Sequence, residues 1–217
     1  ASMHDLSYTY ALSGRLDESL YWARRAWPLS ARGPNDAHHI TTPLLLLRDD
    51  ELTGRWIAYS ETLRDLSRTQ ILAANYELYR GDIAAALARM RARAQKVPNN
   101  AEVRFMLNDL AIIASTEDAE SLNAEAFRTA PDVPGFVLPA SGRLRYAFLR
   151  QRRGDPQARA LIEESETRMR ARIASGDRAA TNFMELGIAR ALLGDVDGAF
   201  AELDRAYEAG WRDYGTA

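Results

Sequence analysis

A glycine-centred phrase recurs in this chain at fixed offsets, and it confines the fold to packed helical hairpins. Its clearest copy lies near the end: Phe183, Leu186 and Gly187, a turn at Gly194-Asp195, then Ala199, Leu203 and Ala206. A first copy has Met3, Leu6, Ser7 and Tyr10 before Gly14-Arg15-Leu16-Asp17, with Ser19, Ala23 and Ala26 after it. Another has Ala73, Ala74 and Glu77, then Gly81-Asp82-Ile83, then Ala86, Met90 and Pro98. Weaker copies centre on turns at Gly54, at Ser115-Thr116 and at Gly154-Asp155-Pro156.

Each part of the phrase has a physical reason. Antiparallel helices that pack closely need small residues at the crossing, the places of Ala23, Ala86, Gly187 and Ala199, with larger neighbours such as Tyr10, Met90 and Leu203 filling the gaps. Glycine ends a helix at little cost in the left-handed conformation. An aspartate just after it satisfies free N–H groups of the next helix. Pro98 and Pro131 cannot continue a helix and separate the units.

The apolar spacing predicts twelve helices: 3–13 and 17–28, 38–51 and 55–66, 69–80 and 83–96, 100–114 and 117–129, 140–152 and 156–175, 179–193 and 196–209. No segment has the alternating, β-branched pattern of strands. Two connectors are irregular. One is Ala31 to Asp36. The other runs from Thr129 to Ser141 and holds Pro131, Pro134, Gly135 and Pro139; it is either an ordinary long link, or a hinge or a loop folded over a binding groove.

Composition narrows the function classes. The chain has 217 residues, a formal net charge of −2 and no cysteine. Thiol catalysis, thiolate metal sites and disulfides are excluded. The charge balance gives no footprint for nucleic acid or an anionic membrane. The longest apolar run, Pro43 to Leu47, is far short of the ~20 residues that cross a bilayer, so direct membrane insertion is not expected. The cytoplasm is the expected compartment, with the periplasm the alternative.

The recurrent phrase resembles the tetratricopeptide repeat, a helix–turn–helix unit of about 34 residues. The likeness is strong at 179–211, good at 3–31 and 69–98, and weaker between. Gly14, Ala23, Gly81, Ala86, Pro98, Leu186, Gly187, Gly194, Ala199 and Ala206 are the residues that define it. Arg190 and Glu77 stand where the family has an aromatic, and Trp211 where it has proline. The resemblance implies an all-α fold: a right-handed superhelical solenoid of about six hairpins. It forms one domain over residues 1–217, with a looser joint at 129–141. The ending, Ala206 to Tyr214, is similar to the repeat regions of bacterial signalling proteins such as adenylate cyclases, winged-helix regulators and kinases. No output domain of those kinds is present: there is no P-loop, kinase glycine loop or cyclase aspartate pair.

In that family the first helix of each pair lines a concave groove. On those helices Tyr8, Asn75, Tyr79, Asn108, Arg145 and Arg152 are the candidate peptide-binding residues, since tyrosine offers rigid contact area and asparagine can bond an extended backbone. Asn75 and Asn108 fall near the family's peptide-clamping asparagine, but its basic partners are missing. The arginine run 143–153 is either a solvated rim or a stripe for an acidic peptide. Trp22, Trp27, Trp56 and Trp211 are inter-hairpin packing or an aromatic interface.

No catalytic or metal site is expected. His38 and His39 point about 100° apart on an exposed helix start and cannot converge on one ion. Asp49 to Glu51 and Glu163 to Glu166 read as solvated faces, with Glu164 at the favourable spacing from Arg168. The expected function is therefore a non-catalytic protein- or peptide-binding scaffold, the interaction or sensory module of a larger bacterial protein, needing no cofactor. A self-assembling module joined through its solenoid ends and a small-molecule-sensing domain are the alternatives.

Overall fold

Six residues with left-handed backbone set the architecture: Gly14, Arg48, Gly81, Ser115, Gly154 and Gly194, with φ between +52° and +88°. Each closes a helix in the same way. The N–H that follows it reaches back five residues, as Arg15 to the Tyr10 carbonyl, Asp49 to Leu44, Asp82 to Glu77, Thr116 to Ala111, Asp155 to Arg150 and Asp195 to Arg190, all at 2.9–3.1 Å. This is the hydrogen bond that satisfies an otherwise orphaned carbonyl at a helix end. The first four turn residues are 34, 33 and 34 positions apart.

The computed structural model describes residues 2–63, 67–135 and 137–211. Among these the chain is all-α. The helices are α1 (Met3–Leu12), α2 (Leu16–Ala26), α3 (Pro34–Leu46), α4 (Asp50–Leu63), α5 (Ser67–Tyr79), α6 (Ile83–Lys96), α7 (Ala101–Ile113), α8 (Ala119–Thr129), α9 (Gly142–Arg152), α10 (Gln157–Ala174), α11 (Ala180–Leu193) and α12 (Val196–Glu208). A 3₁₀ turn, Trp27–Leu29, follows α2. The expected helix ends at 64–66 and the tail Arg212 to Ala217 lie outside the described residues.

The second hairpin corrects the sequence expectation. Its turn is at Arg48, and Gly54 lies inside α4. Asp49 explains the shift: its carboxylate accepts the Leu52 N–H at 3.0 Å and starts α4, as Asp82 does for α6 and Asp195 for α12. Gly54 serves close approach instead. A Cβ there would sit 3.0 Å from the Tyr76 hydroxyl, which donates to the Asp50 carbonyl.

The turn residues define a common register. Seven positions before each of them stand Ser7, Thr41, Ala74, Asn108, Ala147 and Gly187, all buried where helices cross. Five positions after the turn come Ser19, Thr53, Ala86 and Ala199, also buried. In the first hairpin the two crossing positions meet directly, Ser7 Oγ to Ser19 Oγ at 3.3 Å. In the last, a Cβ on Gly187 would lie 3.1 Å from the Ala199 carbonyl oxygen.

The chain divides into two compact units, one up to Leu107 and one over Asn108–Trp211. In the first, α3 packs on α1, α2 and α5, with a core of Leu20, Ala23, Ile40 and Leu44 that continues through Leu45, Ile57, Leu72 and Ala73. In the second, α9 packs on α8 and α10, and α11 on α10 and α12. Leu144, Ala147, Ile162 and Ala189 form its centre, and Phe183, Met184 and Ala206 its far end, where Trp211 also packs. Hairpins stacked on hairpins in this way are the architecture of an α-solenoid.

Candidate functional site

The register sorts the six candidate residues. Six positions before the turn are Tyr8 in the first hairpin and Asn75 in the third; the corresponding residue of the fourth is Asp109, one place beyond Asn108. Two positions before the turn are Tyr79 and Arg152. Tyr8 and Arg152 are exposed, and Asn75 and Tyr79 are half-buried. The carboxamide of Asn75 has no hydrogen-bond partner among the described residues. Arg48 lies over the Tyr79 ring, 4.7 Å from its centroid.

Asn108 and Arg145 face inward. Asn108 occupies the crossing position held by alanine or glycine in three other hairpins, and its carbonyl accepts the Asn123 amide at 3.3 Å. Arg145 is 2% exposed and pairs with Asp109, which is 0% exposed. Nine positions before the turn, the third and fourth hairpins have Leu72 and Met106. Arginine can occupy this core-facing place only because Asp109 neutralises it. Its Nε and Nη2 groups have no hydrogen-bond partner among the described residues.

The proline-rich connector covers this pair. The Asp109 carboxylate accepts the N–H groups of Val137 (2.7 Å) and Leu138 (3.2 Å) as well as the guanidinium. Burial pushes its carboxyl up from the ordinary value, against the pull of Arg145 and those two N–H groups. A side chain on Gly135 would overlap both Asp109 oxygens and the Leu138 carbonyl. The connector also bonds to itself, Gly135 N–H to Ala140 O at 3.0 Å and Gly142 N–H to Val133 O at 3.0 Å. Asp132 is held by Arg168 at 2.5 Å and by Arg143 at 3.7 Å. The connector thus forms a strap pinned to Asp109 of α7 through Val137 and Leu138.

The rest of the arginine run is also paired. Arg143 meets Glu164 at 2.9 Å, so Glu164 and Arg168 turn to other partners and not to each other. Arg150 binds Asp155 and the Tyr146 hydroxyl, and Arg153 meets Glu120 at 2.5 Å. Arg152 is exposed, touches the Ser115 hydroxyl at 3.3 Å and lies over the Phe148 ring, 5.8 Å from its centroid.

The two residues that replace family aromatics are ionic. Glu77 takes Arg89 at 2.6–3.1 Å, and Arg89 also reaches Glu61 and Gln70 at 2.8 Å. Arg190 meets Glu202 at 3.3 Å. Sequence reasoning missed both pairs; the signal was a common separation of 12 residues across the turn.

The histidines are not at an exposed start. Because α3 begins at Pro34, His38 and His39 lie in its second turn. His39 stacks on His4 with centroids 4.8 Å apart, and His4 Nε2 is 3.4 Å from Asp36. Burial pushes His38 down to about 4, helped by His39 and Arg68. Among the described residues no group of three His, Asp or Glu side chains could hold a metal ion, and no helix is long and apolar enough to cross a membrane.

Comparisons with known proteins place the fold. No family model matches the chain, and no curated protein does. Among solved structures it is similar to a tetratricopeptide repeat protein from Parabacteroides merdae, with 13% identity, a TM-score of 0.56, and 97% of this chain and 93% of that one covered. Yeast Tom70 aligns at 14% identity and a TM-score of 0.39, over 95% of this chain and 47% of its own. MamA of MSR-1 aligns at 14% and 0.36, over 95% and 94%. The protein has a tetratricopeptide-type helical-repeat fold. Such folds present side chains from successive hairpins on one surface.

Proposed function

We propose that this protein is a non-catalytic scaffold that binds an extended polypeptide on the first-helix residues of its N-terminal unit. The observation that carries this is Asn75. Its carboxamide is half-buried yet unengaged, in the register shared with exposed Tyr8 and one turn from Tyr79. An asparagine amide can donate to one peptide carbonyl and accept from one N–H, which suits an extended backbone. Asp109, in the same register, is already satisfied by the backbone N–H groups of the chain's own connector. That contact shows a first-helix side chain holding consecutive backbone N–H groups of another segment.

The test is capture by chemical crosslinking from a bacterial lysate, comparing the full chain with Asn75→Ala and Tyr79→Ala. Discrete polypeptide partners lost in the variants, with unchanged circular dichroism, are the expected result. Recovery of small molecules only, or capture indifferent to both substitutions, would overturn the proposal. The similarity of the ending to bacterial signalling repeats supports a role as the interaction module of a larger protein. The sequence flanking it in the parent gene tests that directly.

A second reading, self-association, has its own support. On α12, Val196 and Phe200 are 57% and 64% exposed, Tyr207 is exposed, and Leu203 is half-buried between them. The 4-3-4 spacing of these residues is that of a helix-pairing seam. Light scattering at rising concentration checks it: a Phe200-dependent dimer supports the reading, and a monomer throughout removes it.

A further inference from the structure

An aromatic cluster on the other helices of the first unit stands apart from the first-helix residues. Trp27 opens the 3₁₀ turn that ends the first hairpin, and Trp56 and Tyr59 lie three residues apart on α4. Their rings are mutually edge-on. Trp27 and Trp56 are 4.9 Å apart at 86°, Trp27 and Tyr59 5.8 Å at 73°, and Trp56 and Tyr59 5.7 Å at 88°. Trp27 and Trp56 bury one side against the Leu20–Ile40–Leu44 core. The cluster also walls an open depression of about 390 Å³, completed by Leu52, Arg32 and Arg55.

Three features of this depression point to a ligand. First, its charged rim has one sign. Arg32 and Arg55 line it, and among the described residues no acidic side chain does. Arg32 has no side-chain partner among the described residues, and Arg55 has only exposed Glu51 at 3.9 Å. Second, Arg32 is preset. Its φ of +54° is held by Ser30, whose hydroxyl donates to the Trp27 carbonyl at 3.0 Å and accepts the Arg32 N–H at 3.2 Å. Third, neither indole N–H finds an acceptor among the described residues. Neither is among the buried unpartnered atoms, so both stay open to an acceptor, and a ligand with free carbonyls can bond them beside the ring surface.

We propose that this face docks an extended, proline-containing peptide segment flanked by acidic residues. A polyproline II segment carries unpaired carbonyls that indole N–H groups can satisfy, and its pyrrolidine rings pack on aromatic faces at little entropic cost. A docked helix would keep its carbonyls bonded internally and leave both indoles unmatched. Carboxylates next to the prolines meet the two guanidinium groups, which hold them by charge-assisted hydrogen bonds. The proposal concerns a surface separate from Asn75 and does not rest on it.

The probe is a blocked nine-residue peptide of three Pro-Pro-Glu repeats, titrated into the full chain and followed by tryptophan fluorescence. Controls replace Glu by Lys, or Pro by Ala. Saturable binding is expected for the Pro-Pro-Glu peptide, weaker by about tenfold or more for each control, as expected when a rim charge or a ring contact is lost. The variants Arg32→Glu/Arg55→Glu and Tyr59→Ala alter exposed positions. Both should weaken binding by a similar factor with unchanged circular dichroism; the arginine variant should also keep the thermal midpoint, whereas Tyr59→Ala, which loses its ring contacts with Trp27 and Trp56, lowers it by a few degrees. Absence of saturation at millimolar peptide, equal affinity for the lysine control, or indifference to both variants overturns the proposal. Partner capture that depends on Asn75 but survives Arg32→Glu/Arg55→Glu would remove this face and leave the first-helix reading intact.

Discussion

Glu77 accepts three hydrogen bonds from Arg89 across the third hairpin, and the same two places in the last hairpin hold Arg190 and Glu202 with the charges exchanged. Both pairs stand where a repeat of this kind has an aromatic packed on its partner helix. An ion pair on two helices can replace that packing because its members are mostly shielded, Glu77 being 19% exposed and Glu202 5%. In a double-mutant cycle of Glu77→Ala and Arg89→Ala, we expect a coupling of about 1–2 kcal/mol, measured by urea unfolding. A coupling near zero would mean that the pair is a surface contact without structural weight.

The Asp109–Arg145 pair is buried far more deeply. Removing one partner strands a charge in the core, so Asp109→Ala and Arg145→Ala should each cost about 3–5 kcal/mol. The double variant Asp109→Asn/Arg145→Met should cost less than the sum of Asp109→Asn and Arg145→Met. Unfolding midpoints of the four proteins decide it, and additive losses would argue against direct coupling.

The strap should be sensitive to a single methyl group. Gly135→Ala drives a Cβ into the Asp109 carboxylate and the Leu138 carbonyl. The expected loss is about 1–3 kcal/mol, together with faster proteolytic cleavage within 133–140. Gly194→Ala, with nothing near its Cβ but a φ of +88°, should cost about 1–2 kcal/mol without changing cleavage there. Equal cleavage rates in the two variants would count against a pinned connector.

His38 makes stability depend on mild acid. Its folded value, about 4, lies below the ordinary 6.5. Above pH 6.5 the ring is neutral in both states and costs nothing. As pH falls from 6.5 toward 4 the unfolded chain takes up a proton that the folded chain refuses, so stability drops; the loss levels off below about 4. The shift corresponds to roughly 3 kcal/mol at that limit. His39, also pushed down chiefly by burial, acts in the same direction. Unfolding of His38→Gln followed from pH 7 to 4 should show a shallower decline than the parent; identical slopes would remove His38 from the effect.

Much of the fold is legible in the chain because glycine marks four of the six turns and small residues mark the crossings. The hairpins at Gly14, Gly81, Gly154 and Gly194 appear where the repeated phrase puts them. The turn at Arg48 was hidden because Gly54 nearby offered a false mark, whereas no glycine competes near Ser115, the other non-glycine turn. The candidate site was less legible. Asn108 and Asp109 are neighbours in sequence, and a one-residue difference in helical register, about 100°, decides which lies at the crossing and which meets the connector.

What the sequence by itself determined is local. The Gly-Asp turns, the alternation of small and large residues and the repeat spacing near 34 depend on backbone conformation and helical periodicity, which neighbouring residues set. The tertiary structure decided what each polar side chain does. Arg145 looked like part of a basic stripe, and becomes a buried cation because Asp109, 36 residues earlier, lies against it under the strap. Trp27, Trp56 and Tyr59 become one surface only when α4 packs on the first hairpin. Such partners are brought together by the stacking of hairpins, and stacking depends on pairs of surfaces that no single stretch of sequence contains.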